Sequence, residues 1–351
     1  MTTHDPARTP AAFRGERPRV AVLTADGVPA PHNLAALRER ADVVLVDAAG
    51  LAGALGDADV VFLWDFFSTA LRDAWPVDGA GGGGAGVPAW VHVAAAGVDA
   101  MLFDGLRDSP AVLTNAHGFF DAPIAEFVAA SVLAHDKGLH ASKSLQRAGR
   151  WEHRELARTA GSRALVVGTG GIGRATARLL RAVGLEVRGA GRTARDADPD
   201  FGRVVASSEL AAHVGWADHV VLAAPLTDQT RGIVGAEALG AMRPSAHLVN
   251  VGRGALVDEP ALVAALGRGA IAAASLDVFA AEPLPDGHPF WSMENVHVSA
   301  HMSGDVEGWR GALADQFLAN LDAYLAGRPL ANVVDKARGY VPSGAAGPPV
   351  D

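Results

Sequence analysis

The 351-residue chain contains no cysteine. That absence removes disulfides, thiolate nucleophiles, iron–sulfur clusters and cysteine-ligated zinc together, leaving His, Ser, Lys and carboxylates to carry any chemistry. Charge of positive sign is scarce: Lys+Arg number 30 against 39 Asp+Glu, for a net charge of -9. Without a broad basic face, neither nucleic acid nor an anionic membrane is expected as the main partner, and any anion must be caught by a local site. Long hydrophobic runs are missing too; Ala261 to Leu276, for example, is interrupted by Arg268, so no membrane-spanning segment is expected. Arg8, Arg14 and Arg17 near the start precede no apolar stretch that could form a signal-peptide core. A soluble cytoplasmic protein is the resulting expectation.

What is present is a folding chain, with 49% hydrophobic residues, only 20% charged residues and a mean hydropathy of +0.17. Its length exceeds one ordinary domain, so two are expected. Glycine (41) and proline (20) are plentiful but aperiodic apart from Gly81 to Gly84, which excludes collagen and long low-complexity architectures. Residues 1–18 and 339–351 lack periodicity and read as mobile tails. Between them, Arg19 to Leu23, Val43 to Val46, Val60 to Leu63, Trp90 to Val93 and Val112 to Thr114 are short apolar strands alternating with helical stretches. The glycine run reads as a surface loop. Ala122 to Lys143 reads as one long apolar helix, and a second β-α series begins at Ala164 to Val167. It continues through Val187 to Ala190, His219 to Ala223, His247 to Val251, Ala272 to Leu276 and Val296 to Ser299. The fold class predicted is therefore α/β, with two doubly wound parallel sheets. The helix Gly308 to Leu325 has no strand behind it and is expected to return to the first sheet.

The sharpest local signal is the strand Ala164–Val167 running into Gly168-Thr169-Gly170-Gly171-Ile172-Gly173 and then a helix. Gly168 permits a tight turn, Gly170 lets a pyrophosphate approach the backbone, and Gly173 lets helix pack on strand, with helix N–H groups aimed at the phosphates. A dinucleotide is the ligand expected. For NAD, the next strand should end in a carboxylate that hydrogen-bonds the ribose 2′-OH. Here it ends Ala190-Gly191-Arg192-Thr193-Ala194-Arg195. Arg192, Thr193 and Arg195 offer two guanidiniums and a hydroxyl to a 2′-phosphate, so NADP(H) is expected to be preferred, with NAD(H) possible.

Three further segments place charged residues at or just past strand ends, the edge where open α/β sheets bind ligands. They are Leu248 to Asp258 with Arg253, Ser275 to Pro285 with Asp277 and Glu282, and Val296 to Gly304 with His301. In order and spacing they resemble the D-isomer-specific 2-hydroxyacid dehydrogenase family, and the resemblance covers Arg19 to about Tyr340. Ala95-Ala96-Gly97-Val98-Asp99, Leu113-Thr114-Asn115 with Gly118, Ala125-Glu126, Pro225-Leu226-Thr227 and Asn332-Val333-Val334-Asp335 match as well. Arg192-Thr193 and His301-Met302-Ser303-Gly304-Asp305 are most similar to the NADPH-linked glyoxylate/hydroxypyruvate reductase branch.

The resemblance implies two Rossmann-like domains with catalysis in the cleft between them. A discontinuous, flavodoxin-like substrate domain would comprise 19–121 and 304–338, and an NAD(P)-binding domain 122–303. It implies that Arg253 holds the 2-oxo acid carboxylate and polarises the ketone, that His301 donates the proton, and that Glu282 orients the imidazole and favours its charged form. It places Asp277 near the nicotinamide, further cofactor contacts at Pro225, Thr230, Val251, Gly252 and Gly304, and carboxylate-binding N–H donors at Ala96 and Gly97. A homodimer formed through the cofactor domain, with Ala122 to Arg150 as its arm, is implied too. No metal is implied. His92, His117 and His297 read as structural or peripheral.

Substrate choice is expected from Leu63-Trp64-Asp65-Phe66-Phe67-Ser68. Phosphoglycerate dehydrogenases carry an arginine near the position of Trp64, whereas the local sequence here is aromatic and acidic. A small or hydrophobic monocarboxylic 2-oxo acid is therefore expected, with Trp64 either lining the pocket or packing in the core. Glu282 counts against a formate dehydrogenase, which pairs its histidine with glutamine. The alternatives are a phosphite dehydrogenase-like oxidoreductase, which keeps the Arg, Glu and His set, and an NAD(P)H-sensing binding protein of the C-terminal binding protein type.

Overall fold

The structure, a computed structural model, describes residues 10–76 and 86–342. The loop expected at Gly81 to Gly84 lies outside the described residues. The chain divides into two compact units, Met1–Phe119 with Glu307–Asp351, and Phe120–Val306.

The first unit is built on a five-stranded parallel sheet ordered β2-β1-β3-β4-β5, from β1 (Arg19–Leu23), β2 (Asp42–Val46), β3 (Val60–Leu63), β4 (Trp90–Val93) and β5 (Val112–Asn115). β3, β4 and β5 are buried along their whole length, as expected of parallel strands covered on both faces. The edge strand β2 is the exposed one. The helix Trp309–Leu325 buries Leu313, Phe317, Leu321 and Tyr324, residues four or three apart and so on one face. Phe317 stacks on Phe62 of β3 at 3.9 Å and on Trp90 of β4 at 5.1 Å between ring centroids. The helix thus returns to the first sheet, as its position after the last strand predicts.

The expected N-terminal tail is shorter than its composition suggests. From residue 10 onward it is tied to this unit: the Arg14 N–H donates to Asp59 at 3.1 Å, and the Arg17 guanidinium donates to the carbonyl oxygens of Arg38 and Ala41. Ala11 O accepts from the Tyr324 hydroxyl at 2.9 Å. These partners come from distant parts of the chain, and no local periodicity announces them.

The second unit holds an eight-stranded sheet ordered β13-β12-β11-β10-β6-β7-β9-β8. Its strands are β6 (Arg163–Val167), β7 (Glu186–Gly191), β8 (Arg195–Asp198), β9 (Gly202–Ala206), β10 (His219–Leu222), β11 (His247–Asn250), β12 (Ala273–Leu276) and β13 (Val296–Val298). All pairings are parallel except β8 with β9. The strand order reverses between β6 and β10, the switch point where doubly wound sheets bind nucleotides. Strand β8 has no apolar run to mark it in the sequence, because Arg195-Asp196-Ala197-Asp198 is polar and pairs only at an edge.

The single helix expected over Ala122–Lys143 is two, Asp121–Asp136 and Leu139–Arg147, separated by Gly138 in the left-handed region at φ 53°. Glycine takes that conformation without steric cost and ends the first helix there. Among the described residues, no helix is long and apolar enough to cross a membrane.

Candidate functional site

The glycine loop follows β6 at the switch point. Gly168 has φ 113°, and a Cβ there would meet the Ala223 carbonyl at 2.5 Å, so no other residue fits the turn. A Cβ on Gly173 would collide with the Gly168 carbonyl, and one on Gly171 with the Asp121 carboxylate; both glycines serve close packing. Gly170 differs, because a Cβ there would meet nothing within 4 Å. Its missing side chain leaves open space at the start of the helix Gly171–Ala182, which has no side-chain cap. An uncapped helix start with an open backbone approach fits a pyrophosphate. Ile172 lies in the first turn of that helix, and the Thr169 side chain sits against Gly189 and Gly191 of β7.

Beyond β7, Arg192 and Thr193 are exposed. Arg195 is engaged: its guanidinium donates to the buried Asp198 carboxylate at 2.8 Å, and Arg174 donates to the same carboxylate at 3.1 Å. Burial works to raise the Asp198 pKa, but the hydrogen bonds from Arg174 and Arg195 and the N–H groups of Asp200 and Phe201 hold it well below the usual carboxylate range. The strand end that lacks a carboxylate in sequence therefore has one close by, already spent on two arginines.

The other expected cofactor positions have local accounts. The Thr230 hydroxyl accepts from the Thr227 N–H at 2.8 Å and donates to the Pro225 carbonyl at 2.7 Å, fixing the turn after β10. Val251 continues the β11 ladder by donating to Leu222 O at 3.1 Å. A Cβ on Gly252 would press on Leu256 and the Ala224 carbonyl, and one on Gly304 on the Phe120 ring.

Arg253, Glu282 and His301 lie in three successive loops at the carboxyl edge of β11, β12 and β13. The Arg253 loop is held by Asn250, whose side chain accepts from the Gly252 N–H and donates to Arg253 O. A Cβ on Gly254 would collide with the Phe279 backbone, so this loop is packed against the segment that carries Glu282. Glu282 accepts from the Phe279 N–H at 2.9 Å through one oxygen and meets His301 Nδ1 at 2.7 Å through the other. Burial would raise the Glu282 pKa, yet the His301 hydrogen bond, the Phe279 N–H and the charges of His301 and Arg253 lower it. A carboxylate so held is an acceptor for a proton on Nδ1 and leaves Nε2 without a part in this contact. His301 itself has φ 51°.

Asp277, expected beside the nicotinamide, is 0% exposed. Its carboxylate accepts from the Ser299 hydroxyl at 2.6 Å and from the N–H groups of Met302 at 3.0 Å and Ser303 at 2.9 Å. The structure spends it on the loop that carries His301. Trp64 is buried as well, its indole N–H donating to Pro29 O at 2.8 Å, so it packs in the core of the first unit. Ala96 and Gly97 follow β4, and Ala96 O accepts from the Asn115 side chain. The segment Leu63 to Ser68 holds no cation, but the Arg310 guanidinium lies 5.7 Å from the Trp64 ring centroid and 4.5 Å from that of Trp309. Only the fold brings it there, since helix and strand lie at opposite ends of the chain. Among the described residues, no group of three or more His, Asp or Glu side chains could hold a metal ion.

A glycine-loop nucleotide site at a sheet reversal, with an Arg and a Glu–His pair on the neighbouring strand ends, defines a dinucleotide-dependent oxidoreductase. Residues 129–303 match the family model described as D-isomer specific 2-hydroxyacid dehydrogenase, NAD binding domain. The chain is 31% identical over 261 residues to glyoxylate/hydroxypyruvate reductase A of Yersinia enterocolitica, covering 71% of this chain and 81% of that protein. A D-isomer specific 2-hydroxyacid dehydrogenase from Xanthobacter autotrophicus Py2, solved with NADPH and MES, superposes with a TM-score of 0.77 at 30% identity, over 92% of this chain and all of that one. The NADPH-dependent glyoxylate/hydroxypyruvate reductase of Sinorhizobium meliloti solved with NADP and sulfate gives 0.78 at 26% identity, over 93% of this chain and 100% of its own. The chain belongs to the D-isomer-specific 2-hydroxyacid dehydrogenase family, and is similar to its glyoxylate/hydroxypyruvate reductase branch.

Proposed function

We propose that the protein is an NADPH-preferring reductase of small 2-oxo acids of the glyoxylate and hydroxypyruvate type, yielding the D-2-hydroxy acid, and that it also runs the reverse oxidation. The observation that carries this reading is the 2.7 Å contact of Glu282 with His301 Nδ1, on strand ends adjoining the Arg253 loop. NADPH, when bound, supplies the hydride that the carbonyl carbon receives. Arg253 binds the substrate carboxylate and draws electron density from the ketone, a task suited to a planar, permanently charged guanidinium. His301 donates a proton from Nε2 to the carbonyl oxygen, so that one 2-oxo acid, one NADPH and one proton give one hydroxy acid and one NADP⁺. Glu282 holds the ring and balances its charge.

The uncapped helix at Gly170 supports pyrophosphate binding, and the exposed Arg192 and Thr193 support a 2′-phosphate preference over the bare ribose of NAD(H). A homodimer is part of the proposal, favoured by the large exposed side chains Leu139, Trp151 and Leu156 in or beyond the helix Leu139–Arg147. The test is a panel of glyoxylate, hydroxypyruvate, phenylpyruvate and 3-phosphohydroxypyruvate with each reduced cofactor. The expected result is the highest kcat/KM for one of the first two acids with NADPH, abolished in Arg253→Ala and His301→Ala. A clear preference for NADH, or turnover of the phosphorylated acid alone, would overturn it.

A further inference from the structure

We infer that Arg310 is a substrate-specificity residue: its guanidinium receives an oxygen carried on C3 of the 2-oxo acid, so that hydroxypyruvate is selected over acids whose C3 bears only hydrogen. The inference rests on the reductase reading, with the substrate carboxylate taken by the N–H donors expected at Ala96 and Gly97.

Arg310 is the second residue of the helix Trp309–Leu325, in the first unit. Its guanidinium lies against two indoles, 5.7 Å from the ring centroid of Trp64 and 4.5 Å from that of Trp309. Both rings are held in place: the Trp64 indole N–H donates to Pro29 O at 2.8 Å, and the Phe66 ring meets Trp309 edge-on at 6.0 Å. Trp64 directly follows β3, so the cation stands at the carboxyl edge of the first sheet, the edge where open parallel sheets take their ligands. The neighbouring strand is β4, with Leu63 paired to Val93 and the Ala94 N–H donating to Leu63 O at 3.2 Å. The chain leaving β4 runs at once into Ala96 and Gly97. Neighbouring strands lie about 4.8 Å apart, a span that a three-carbon acid covers.

Arg310 is half-buried, and among the described residues its guanidinium meets no carboxylate and no hydrogen-bond acceptor. Other arginines of this unit are spent on the protein itself: Arg14 and Arg17 donate to backbone carbonyls, and Arg40 donates to Asp322 at 2.6 Å. The two indoles hold the planar group by its faces, through cation–π attraction, and leave the N–H donors along its edge for a ligand. A charged donor suits an oxygen acceptor, and the resulting bond is stronger than one between neutral groups. The C3 hydroxyl of hydroxypyruvate is such an acceptor. The methyl group of pyruvate offers none and would leave the donors desolvated without a partner, which is how a site built to bond a hydroxyl rejects the analogue that lacks it. Glyoxylate has no C3 and does not reach the cation.

The test measures kcat and KM for hydroxypyruvate, pyruvate and glyoxylate with NADPH in the wild-type protein, Arg310→Leu and Arg310→Lys, and the Tm of each with NADP⁺ and either D-glycerate or D-lactate. In the wild-type protein the expected kcat/KM for hydroxypyruvate is about thirtyfold above that for pyruvate. Arg310→Leu should cut this ratio about tenfold, through KM for hydroxypyruvate more than through kcat, while glyoxylate changes by less than about threefold. Arg310→Lys keeps the charge and gives up the planar fork, so the ratio should fall about threefold; if Arg310→Leu does not fold, this variant decides alone. D-Glycerate should raise the wild-type Tm more than D-lactate does, and the two should act equally on Arg310→Leu. A hydroxypyruvate-to-pyruvate ratio that the substitutions leave unchanged overturns the proposal, and so does an equal loss for all three acids carried by kcat. Absence of turnover of every acid by the wild-type protein would instead count against the reductase reading, while the Tm shifts with D-glycerate and D-lactate would still judge Arg310.

Discussion

Glu282 shows how one side chain reconciles burial with charge. Burial favours its neutral form, yet His301, the Phe279 N–H and Arg253 together lower its pKa. Because the folded value lies below the unfolded one, the pair's stabilisation is fully present above the ordinary glutamate range and is lost only as the pH falls through the folded value. Across the neutral range the carboxylate is therefore ionised and available to favour a protonated imidazole. Glu282→Gln keeps the shape of the acceptor and removes the charge. It should lower kcat for 2-oxo acid reduction by about 10², leave the NADPH Kd unchanged, and move the alkaline fall of kcat/KM to lower pH. A pH–rate profile that superposes on wild type after scaling would show that the charge of Glu282 has no part in the proton donation.

Among the elements, the small antiparallel strand β8 separates two arginines that look equivalent in sequence. Arg195 is paired with Asp198 inside β8, whereas Arg192 is exposed in the turn before it. Arg192→Ala should raise KM for NADPH at least tenfold and leave the NADH parameters within twofold. Arg195→Ala should also lower Tm by roughly 2–4 °C, because a buried carboxylate loses one of its two cations and keeps Arg174. Equal kinetic effects of Arg192→Ala on both cofactors would remove it from 2′-phosphate recognition. The same element marks the limit of what sequence discloses. Strands such as β3 and β4 were legible because continuous apolar runs bury on both faces, and the Arg, Glu and His positions because each follows such a run. Strand β8 was not, since its polar residues are ordered by Arg174 and by pairing to β9. Nor could the sequence expose the donors gathered around Asp277 or the seating of Arg310 over Trp64, which arise only when separate strands and helices come into register.

At the scale of the whole molecule, histidines remote from the His301 loop or buried in the sheets set the acid limit. In the second unit His135 stacks on His247 at 4.4 Å, His219 stands edge-on to His247 at 5.7 Å, and His140 stacks on His297 at 3.4 Å. Asp136 offers its carboxylate to His219 at 3.3 Å, and the hydroxyl of Ser275 meets His247 at 2.9 Å. Burial and the neighbouring imidazoles push the pKa of His247 well below its ordinary value, and that of His297 down to about 4. In the first unit burial alone pushes His92 down to about 3; its Nδ1 meets the Thr114 hydroxyl, which also accepts from the Trp90 indole, so the ring takes the hydroxyl's proton bond as a neutral acceptor. All these shifts are downward, so the unfolded chain binds protons that the folded one refuses. Stability is complete above the unfolded value of 6.5 and declines as the pH falls from there towards 4. Each fully buried imidazole, His247 and His92, costs about 1.4 kcal/mol by one pH unit below the unfolded value. The depressed carboxylates Asp136, Asp198 and Glu282 stay ionised over that window and do not mask the effect. The thermal midpoint should therefore drop between pH 7.5 and pH 5.5. Replacing His247 with glutamine, which keeps a donor and an acceptor for Ser275 but cannot gain charge, should flatten that dependence. Calorimetry at the two pH values decides the matter: equal midpoints for the wild-type protein would mean that the folded state accommodates the protons, and that the stacked rings open without loss of the fold.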